Sequence, residues 1–478
     1  MMLENFPVTS EKSVILLEFN ELCPSLMQQF IQEGKLPNFQ RFYEESEIYT
    51  TDAEEKPPYL EPWIQWVTLH SGLPYSKHQV LHLDEGHKLQ FKNIWDILSD
   101  AGLRVWICGS MNVSYNSPLN GYIMPDFWST KVTPNSEELL PYFKFVQTQV
   151  QEHTNDSVPL SITDYLKFLG FMINHGLSLA TITSTIKQLI LEKITRKYRW
   201  LRATIADKLQ FDLFRWYYRK YQPQFSTFFL NSTAHFQHLY WRYMEPDKFQ
   251  VKPSAKEQME YEKAILLGYQ EMDKLIGDFF DLLDSNTTLI LSTALSQQSC
   301  LTYENSGGKR IYRPRKFENI LNFAGVTSTY NCSPVMAEEF YVRFENEQDA
   351  IDAEQRLLAL QVNGRQMMRL IRHGIEIFGG CGIFDKIPQD AMLSIANSEH
   401  STPFFNIFYQ IEDIKSGMHH PDGILWIRKP NRQHSVHQNK VSLLSIAPTI
   451  LEMLEVAKPD FMKGSAIGAD KELDTILV

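Results

Sequence analysis

Apolar positions along this chain of 478 residues fall into short continuous runs separated by longer amphipathic stretches. Ser13–Phe19, SVILLEF, is a run of strand length, and its lack of alternation predicts burial on both faces. A helical pattern follows from Pro24 through Phe30 and Ile31. The same unit recurs. Leu103–Cys108 follows an amphipathic helix around Ile94–Leu98, Phe225–Leu230 follows a long helical stretch, and Thr288–Leu291 follows a helix over Glu260–Leu283. Such alternation predicts an α/β fold, a mostly parallel central sheet covered by helices on both faces. Ligands of such sheets bind beyond the carboxyl ends of the strands, so chemistry is expected just after Leu17, Leu230 and Leu291.

Two stretches interrupt the pattern and predict insertions. Residues 160–221 are helical throughout, and between Lys187 and Lys220 they carry ten Lys/Arg against three acids, interleaved with Tyr198, Trp200, Phe211, Trp216 and Tyr217. This basic and aromatic region reads either as a solvated helix face over an aromatic core stripe or as a peripheral membrane, glycan or protein contact. Residues 339–398 read as strand, helix and further strand pieces, a small α/β cap. The core is then expected in three pieces, 1–159, 222–338 and 399–478.

Composition narrows the class. Hydrophobic residues at 43% and charged residues at 22% exclude a disordered or fibrous chain. A net charge of −11 removes any global attraction to nucleic acid, so a site for a polyanion has to be local. Five dispersed cysteines without a CxxC pair predict no zinc ribbon and a reducing environment. The N-terminus lacks a basic region before its apolar run, and Lys167, Asn174, His175 and Lys187 interrupt the apolar stretch Tyr165–Leu191, so a cytoplasmic protein is expected. Oligomeric state is not legible.

Three stretches together are specific. VILLEFNELCPSLMQQFIQEGKLPNFQRF, WIQWVTLHSGLPYSKHQV, and SGMHHPDGILWIRKP followed by LLSIAPTILEMLEV resemble, in order, elements of the alkaline phosphatase superfamily. The likeness is strongest to its type I phosphodiesterase/nucleotide pyrophosphatase and sulfatase-like members. STAHFQHLYWRYMEP and TLILSTALS resemble two further segments. The resemblance implies the superfamily's three-layer α/β/α sandwich and hydrolysis of phosphate or sulfate esters beside divalent metals.

Carried over residue by residue, the resemblance is uneven. The metal-binding carboxylate of the first strand corresponds to Glu18, and two metal-binding histidines to His238 and His419. The nucleophile position falls on Pro62, which has no hydroxyl, and two further ligand positions fall on Ala294 and Leu295. A two-metal centre is therefore not expected. A single zinc- or manganese-like ion on Glu18, His238 and His419 is, with Glu61, His235 and His420 as acid/base candidates for direct attack by water. Asn20, Arg196, Lys197 and Arg199 are the candidate contacts to an anionic glycan, nucleotide-sugar or lipid-linked ester. Competing roles stand beside these: Glu18 capping the next helix or pairing with Arg41, Asn20 and Glu21 capping the helix near Pro24, and His70, His78 and His82 serving the loop after Gly72. The alternative function is a catalytically inactive member acting as a binding or scaffolding protein.

Overall fold

The computed structural model describes residues 12–116, 118–152, 160–335 and 337–468. Its centre is a nine-stranded sheet. In chain order its main strands are β1 (Ser13–Phe19), β2 (Glu47–Asp52), β3 (Val105–Cys108), β4 (Gly121–Met124), β5 (Phe225–Leu230) and β6 (Thr287–Ser292). A short strand outside this sheet, β7 (Ser296–Ser299), pairs with β8 (Gly417–His420), and β9 (Asp422–Arg428) returns to the sheet. The spatial order is β2-β9-β6-β1-β5-β3-β4, parallel from β6 through β4, with β9 antiparallel to both of its neighbours.

Strand β1 lies between β5 and β6, and all but its first residue are buried. Its odd positions, Ile15, Leu17 and Phe19, enter one core and its even positions, Val14 and Leu16, the other, as period-2 alternation requires. The helices divide accordingly. In chain order they are α1 (Pro24–Gln32), α2 (Pro62–Ser71), α3 (Ile162–Asn174), α4 (Leu179–Ile194), α5 (Arg202–Tyr221), α6 (Ser232–Met244), α7 (Ala264–Phe280) and α8 (Ile446–Met453). Helices α1, α5, α6 and α7 contribute to the first core; α2 and α8 contribute to the second. The three-layer sandwich with a mostly parallel sheet is thus the architecture observed.

A third core gathers residues from Tyr312 to Phe408, so the packed unit reaches beyond 339–398 on both sides. It is organised on an antiparallel sheet of Met368–His373, Glu376–Cys381, Phe340–Phe344 and Tyr330–Pro334, taken in spatial order, with the helix Glu347–Leu358 against it. The segment 160–221 is helical, as its pattern predicts, but only α5 is deeply built into the core. The five cysteines are all free. No helix among the described residues is long and apolar enough to cross a membrane.

Candidate metal centre

The site forms where the carboxyl ends of β1, β5 and β6 meet, the place a parallel sheet reserves for ligands. Beyond β1 the chain turns at Glu21, which adopts φ 60°, the left-handed region that costs a residue with a Cβ about 1–3 kcal/mol. Ala294, just past β6, does the same at φ 56°. The turn at Glu21 is held by its backbone N–H on the Thr293 carbonyl at 3.3 Å, and by Asn20 N–H on the Leu230 carbonyl at 2.9 Å.

These bonds aim the Glu21 side chain into the space between α6 and β8. Its carboxylate is buried and held on both oxygens: Asn20 Nδ2 donates to Oε1 at 2.7 Å, and the amide of Gln297 donates to Oε2. Asn20 is fixed in turn by Trp66 Nε1, which donates to its Oδ1 at 2.9 Å, and by its own donation to Asn231 at 2.8 Å. Gln237 donates to the Glu21 carbonyl at 2.7 Å and accepts from the Tyr269 hydroxyl at 2.8 Å.

Two imidazoles face this carboxylate. His238 Nε2 lies 3.1 Å from Glu21 Oε2, and His419 Nε2 lies 3.4 Å from the same oxygen. One ligand atom from each of the three residues lies within 4.8 Å of the other two. His238 is presented by α6 and His419 by β8, and Gly417 permits their approach. A Cβ there would stand 2.4 Å from the Gln237 carbonyl oxygen and 2.4 Å from Gln297 Oε1, so any other residue would push β8 off α6. Ser416 completes the clamp, its N–H on the His238 carbonyl at 2.7 Å and its hydroxyl on the Leu239 carbonyl at 3.0 Å.

The outer nitrogens decide what the inner ones can do. His238 Nδ1 donates to the Gly417 carbonyl at 3.2 Å, and His419 Nδ1 donates to the Leu60 carbonyl at 2.9 Å. Both rings are thereby oriented with Nε2 toward Glu21, the arrangement in which a backbone carbonyl fixes the tautomer of a metal-binding imidazole. Burial, aided by the nearby Lys415, lowers His238 to a pKa of about 4, so at neutral pH its Nε2 is a lone pair pointing at a carboxylate. A ring nitrogen with a free lone pair and a carboxylate oxygen 3.1 Å from it can serve as ligands of one cation. Burial opposes the charge on Glu21, yet His419 and His238 outweigh it and hold the carboxyl well below its usual range. His419 is likewise held above its usual range: burial disfavours its charge, but Glu21 and Glu61 prevail. The donor set, two imidazoles and one carboxylate on rigid elements, is one that could hold a divalent ion.

The sequence-predicted residues separate into groups. His238, His419, Asn20 and Glu61 come together here, with Glu61 Oε2 3.4 Å from His419 Nδ1. Glu18 lies elsewhere. It is still within β1, points to the opposite face from Phe19, and meets His70 of α2 at 2.7 Å in a pair exposed by no more than 1%. Pairing with Arg41 is not what holds it, because Arg41 is bonded to Glu45. Asn20 and Glu21 do not cap the helix near Pro24: Cys23 is its N-cap and no side chain bonds there. His420 Nδ1 accepts from the Asp422 N–H at 3.1 Å, and His235 sits one turn before His238 on α6. Arg199 is exposed on the turn Arg196–Leu201, in no ion pair with the three-residue cluster; the side chains of Arg196 and Lys197 lie outside the described residues.

Two lysines that the sequence did not single out complete the surroundings. Lys309 and Lys415 are cross-strand partners on Lys309–Pro314 and Phe408–Lys415, and the charges of both act on Glu61. Burial, with Lys415 alongside, lowers Lys309. Burial also raises Glu61 above the usual carboxyl range, against the pull of His419 and Lys415. Pro62 is the first residue of α2, with Glu61 as its N-cap, so no hydroxyl stands at the helix start.

No protein-family model matches this sequence. No curated protein matches it either. Among solved structures it is similar to murine ectonucleotide pyrophosphatase/phosphodiesterase 5, at 9% identity over 95% of this chain and 98% of that one, with a TM-score of 0.42. It is similar to phosphonoacetate hydrolase from Sinorhizobium meliloti 1021 at 10% identity, over 94% of this chain and 96% of that one, with a TM-score of 0.39. It is also similar to the alkaline phosphatase PafA at 11% identity, over 96% and 99%, with a TM-score of 0.49. At TM-scores below 0.5 the likeness transfers no residue role, and the site stands on its own geometry.

Proposed function

We propose that this protein binds one divalent ion at Glu21, His238 and His419 and hydrolyses an anionic phosphate or sulfate ester by direct attack of water. The observation that carries the reading is the pair of imidazole Nε2 atoms turned on one buried carboxylate, each ring fixed from behind by a backbone carbonyl. A divalent ion held there would supply a Lewis acid for a non-bridging oxygen and lower the pKa of water toward neutrality.

The chain's own groups supply the rest. Asn20 and Gln297 keep the Glu21 carboxylate from rotating out of place. Glu61, 3.4 Å from His419 and raised by burial above the usual carboxyl range, accepts the proton of the attacking water. Lys309 and Lys415 present positive charge on the Glu61 side and favour an anionic substrate, plausible classes being glycan, nucleotide-sugar and lipid-linked esters. His420, adjacent to His419 on β8, and His235 are the candidates to protonate the leaving oxygen. With Pro62 at the start of α2, no covalent intermediate forms on that residue.

A second reading, an inactive binding protein, is favoured by one observation: apolar Pro62, Ala294 and Leu295 occupy positions where the resemblance expects polar catalytic groups. One experiment separates them. Metal content is measured by plasma mass spectrometry on protein purified without chelator, and turnover of activated phosphodiesters and sulfate esters is assayed with zinc or manganese. Near-stoichiometric metal and turnover, both lost in H238A/H419A, support hydrolysis. Metal-free protein that stays empty when supplied with either ion rules the hydrolase mechanism out, and bound metal without turnover on any ester leaves the binding protein.

A further inference from the structure

Helix α3 leaves a row of apolar side chains in water, and α4 is turned inside out with respect to it. On α3, Phe171 and Met172 are buried, while Ile162, Leu166, Leu169 and Ile173 on the other side stand in solvent, Ile162 at 80% exposure. On α4 the inversion is sharper, because the buried residues are Thr181 and Gln188. Gln188 donates to the Tyr198 carbonyl at 2.7 Å and to Glu192 at 2.9 Å, so the polar side is the one fastened to the protein. The outward side carries Leu179, Ile186, Leu189, Ile190 and Ile194, with Leu179 at 80% and Ile194 at 74%. Ten of the large apolar side chains that are exposed among the described residues belong to these two consecutive helices. Exposed apolar faces on two consecutive helices mark a surface that something apolar covers.

The charges around the patch select the occupant. Lys167, Lys187, Lys193 and Arg199 are exposed, and none of them is in an ion pair among the described residues. The two acids on these helices are engaged: Asp164 accepts from Ser161 at the start of α3, and Glu192 is locked to Arg202 Nε at 2.7 Å. The margin of the apolar face is therefore cationic in a protein whose net charge is −11. A second copy would set like charges against one another, whereas an anionic lipid surface would neutralise them. Neither helix can span a bilayer; at about 1.5 Å per residue, each is of a length to lie in the interface with its aliphatic side down.

We propose that α3 and α4 form a peripheral docking surface for an anionic membrane, the aliphatic faces entering the acyl boundary and the lysines meeting the headgroups. This assignment is independent of the hydrolase reading, since none of its residues belongs to the Glu21 site.

The test is co-sedimentation of the full chain with phosphatidylcholine vesicles, with and without phosphatidylglycerol, at low and high salt. Binding is expected to the anionic vesicles, weakening as salt rises. L166E/I190E is expected to abolish it, and K187A/K193A to weaken it by about tenfold or more. Circular dichroism and thermal melting of both variants are expected to match wild type, because all four side chains already face water. Failure to bind the anionic vesicles, equal binding to neutral ones, concentration-dependent self-association dispersed by L166E/I190E, or recovery of a stoichiometric protein partner through this face would each overturn the proposal.

Discussion

The Glu21 centre and the α3/α4 surface break the ordinary partition of side chains in opposite directions. At the first, a carboxylate and two imidazoles are packed inside the protein; at the second, a row of leucines and isoleucines is left outside it. Each departure carries an energetic cost that the local sequence could have avoided. At the centre the cost is offset internally: Asn20 and Gln297 donate to the Glu21 carboxylate, backbone carbonyls accept from the outer ring nitrogens, and both inner Nε2 atoms face Glu21. On α3 and α4 nothing within the described chain offsets it. The contrast teaches that a buried polar cluster with a full set of outer hydrogen bonds awaits something small and charged, whereas an outward apolar row with an inward polar side awaits something large and greasy.

The sharpest way to break the comparison is to remove the carboxylate. E21A is expected to take bound zinc or manganese from near one ion per chain to none, read by plasma mass spectrometry, and any ester turnover with it. E18A is its counterpart. It strands buried His70 and is expected to lower the unfolding free energy by about 3–5 kcal/mol in urea titration, with the metal stoichiometry of the remaining folded protein unchanged. Metal loss in E18A but not in E21A would reverse the assignment of the two carboxylates.

A smaller effect follows from His78 and His82, buried neutral beside the turn after α2. Burial alone lowers His78 to about 4, and burial opposed by Glu85 does the same for His82. Because both folded values lie below the ordinary 6.5, the unfolded chain binds more protons in between, and stability rises with pH across that window. The melting temperature is expected to fall as pH drops from 6.5 toward 4, and H78Q/H82F to flatten that fall; a variant profile as steep as wild type would remove these two residues from the account.

The smallest effects probe the inverted helix. Q188L, though it adds hydrophobicity to a buried position, is expected to destabilise by about 1 kcal/mol by removing the Gln188 bonds to the Tyr198 carbonyl and to Glu192, whereas I190E is expected to change stability by less than about 0.5 kcal/mol. Urea midpoints check both, and a stabilised Q188L would undo the claim that α4 is fastened by its polar side.

Much of this was legible in order of residues. The β–α alternation implies the parallel sheet, the strand-end rule points to the region where β1, β5 and β6 end, and the resemblance implies His238 and His419, which the structure brings together with Glu61. Glu21 lies three positions from Glu18, and the resemblance implies only the acid at the strand end, Glu18. The strand-end rule carries the signal: with β1 closing at Phe19, Glu21 is the first carboxylate past the strand, whereas Glu18 is still within it. The lysine pair left no local trace, since Lys309 and Lys415 are joined only by strand pairing over a hundred residues.

The sequence by itself determined the architecture and the neighbourhood of the chemistry, because period-2 and helical periodicities, strand-length apolar runs and short motifs are properties of contiguous residues. Only the tertiary structure decided which carboxylate faces which histidines. Alternation along β1 sends Glu18 to His70 on one face of the sheet, and a left-handed turn held by the ends of β5 and β6 sends Glu21 to the histidines. It also decided which side of α4 meets water. Amphipathicity fixes that a helix has two unlike faces, but which one is buried depends on the neighbour it packs against, and here that neighbour bonds the glutamine.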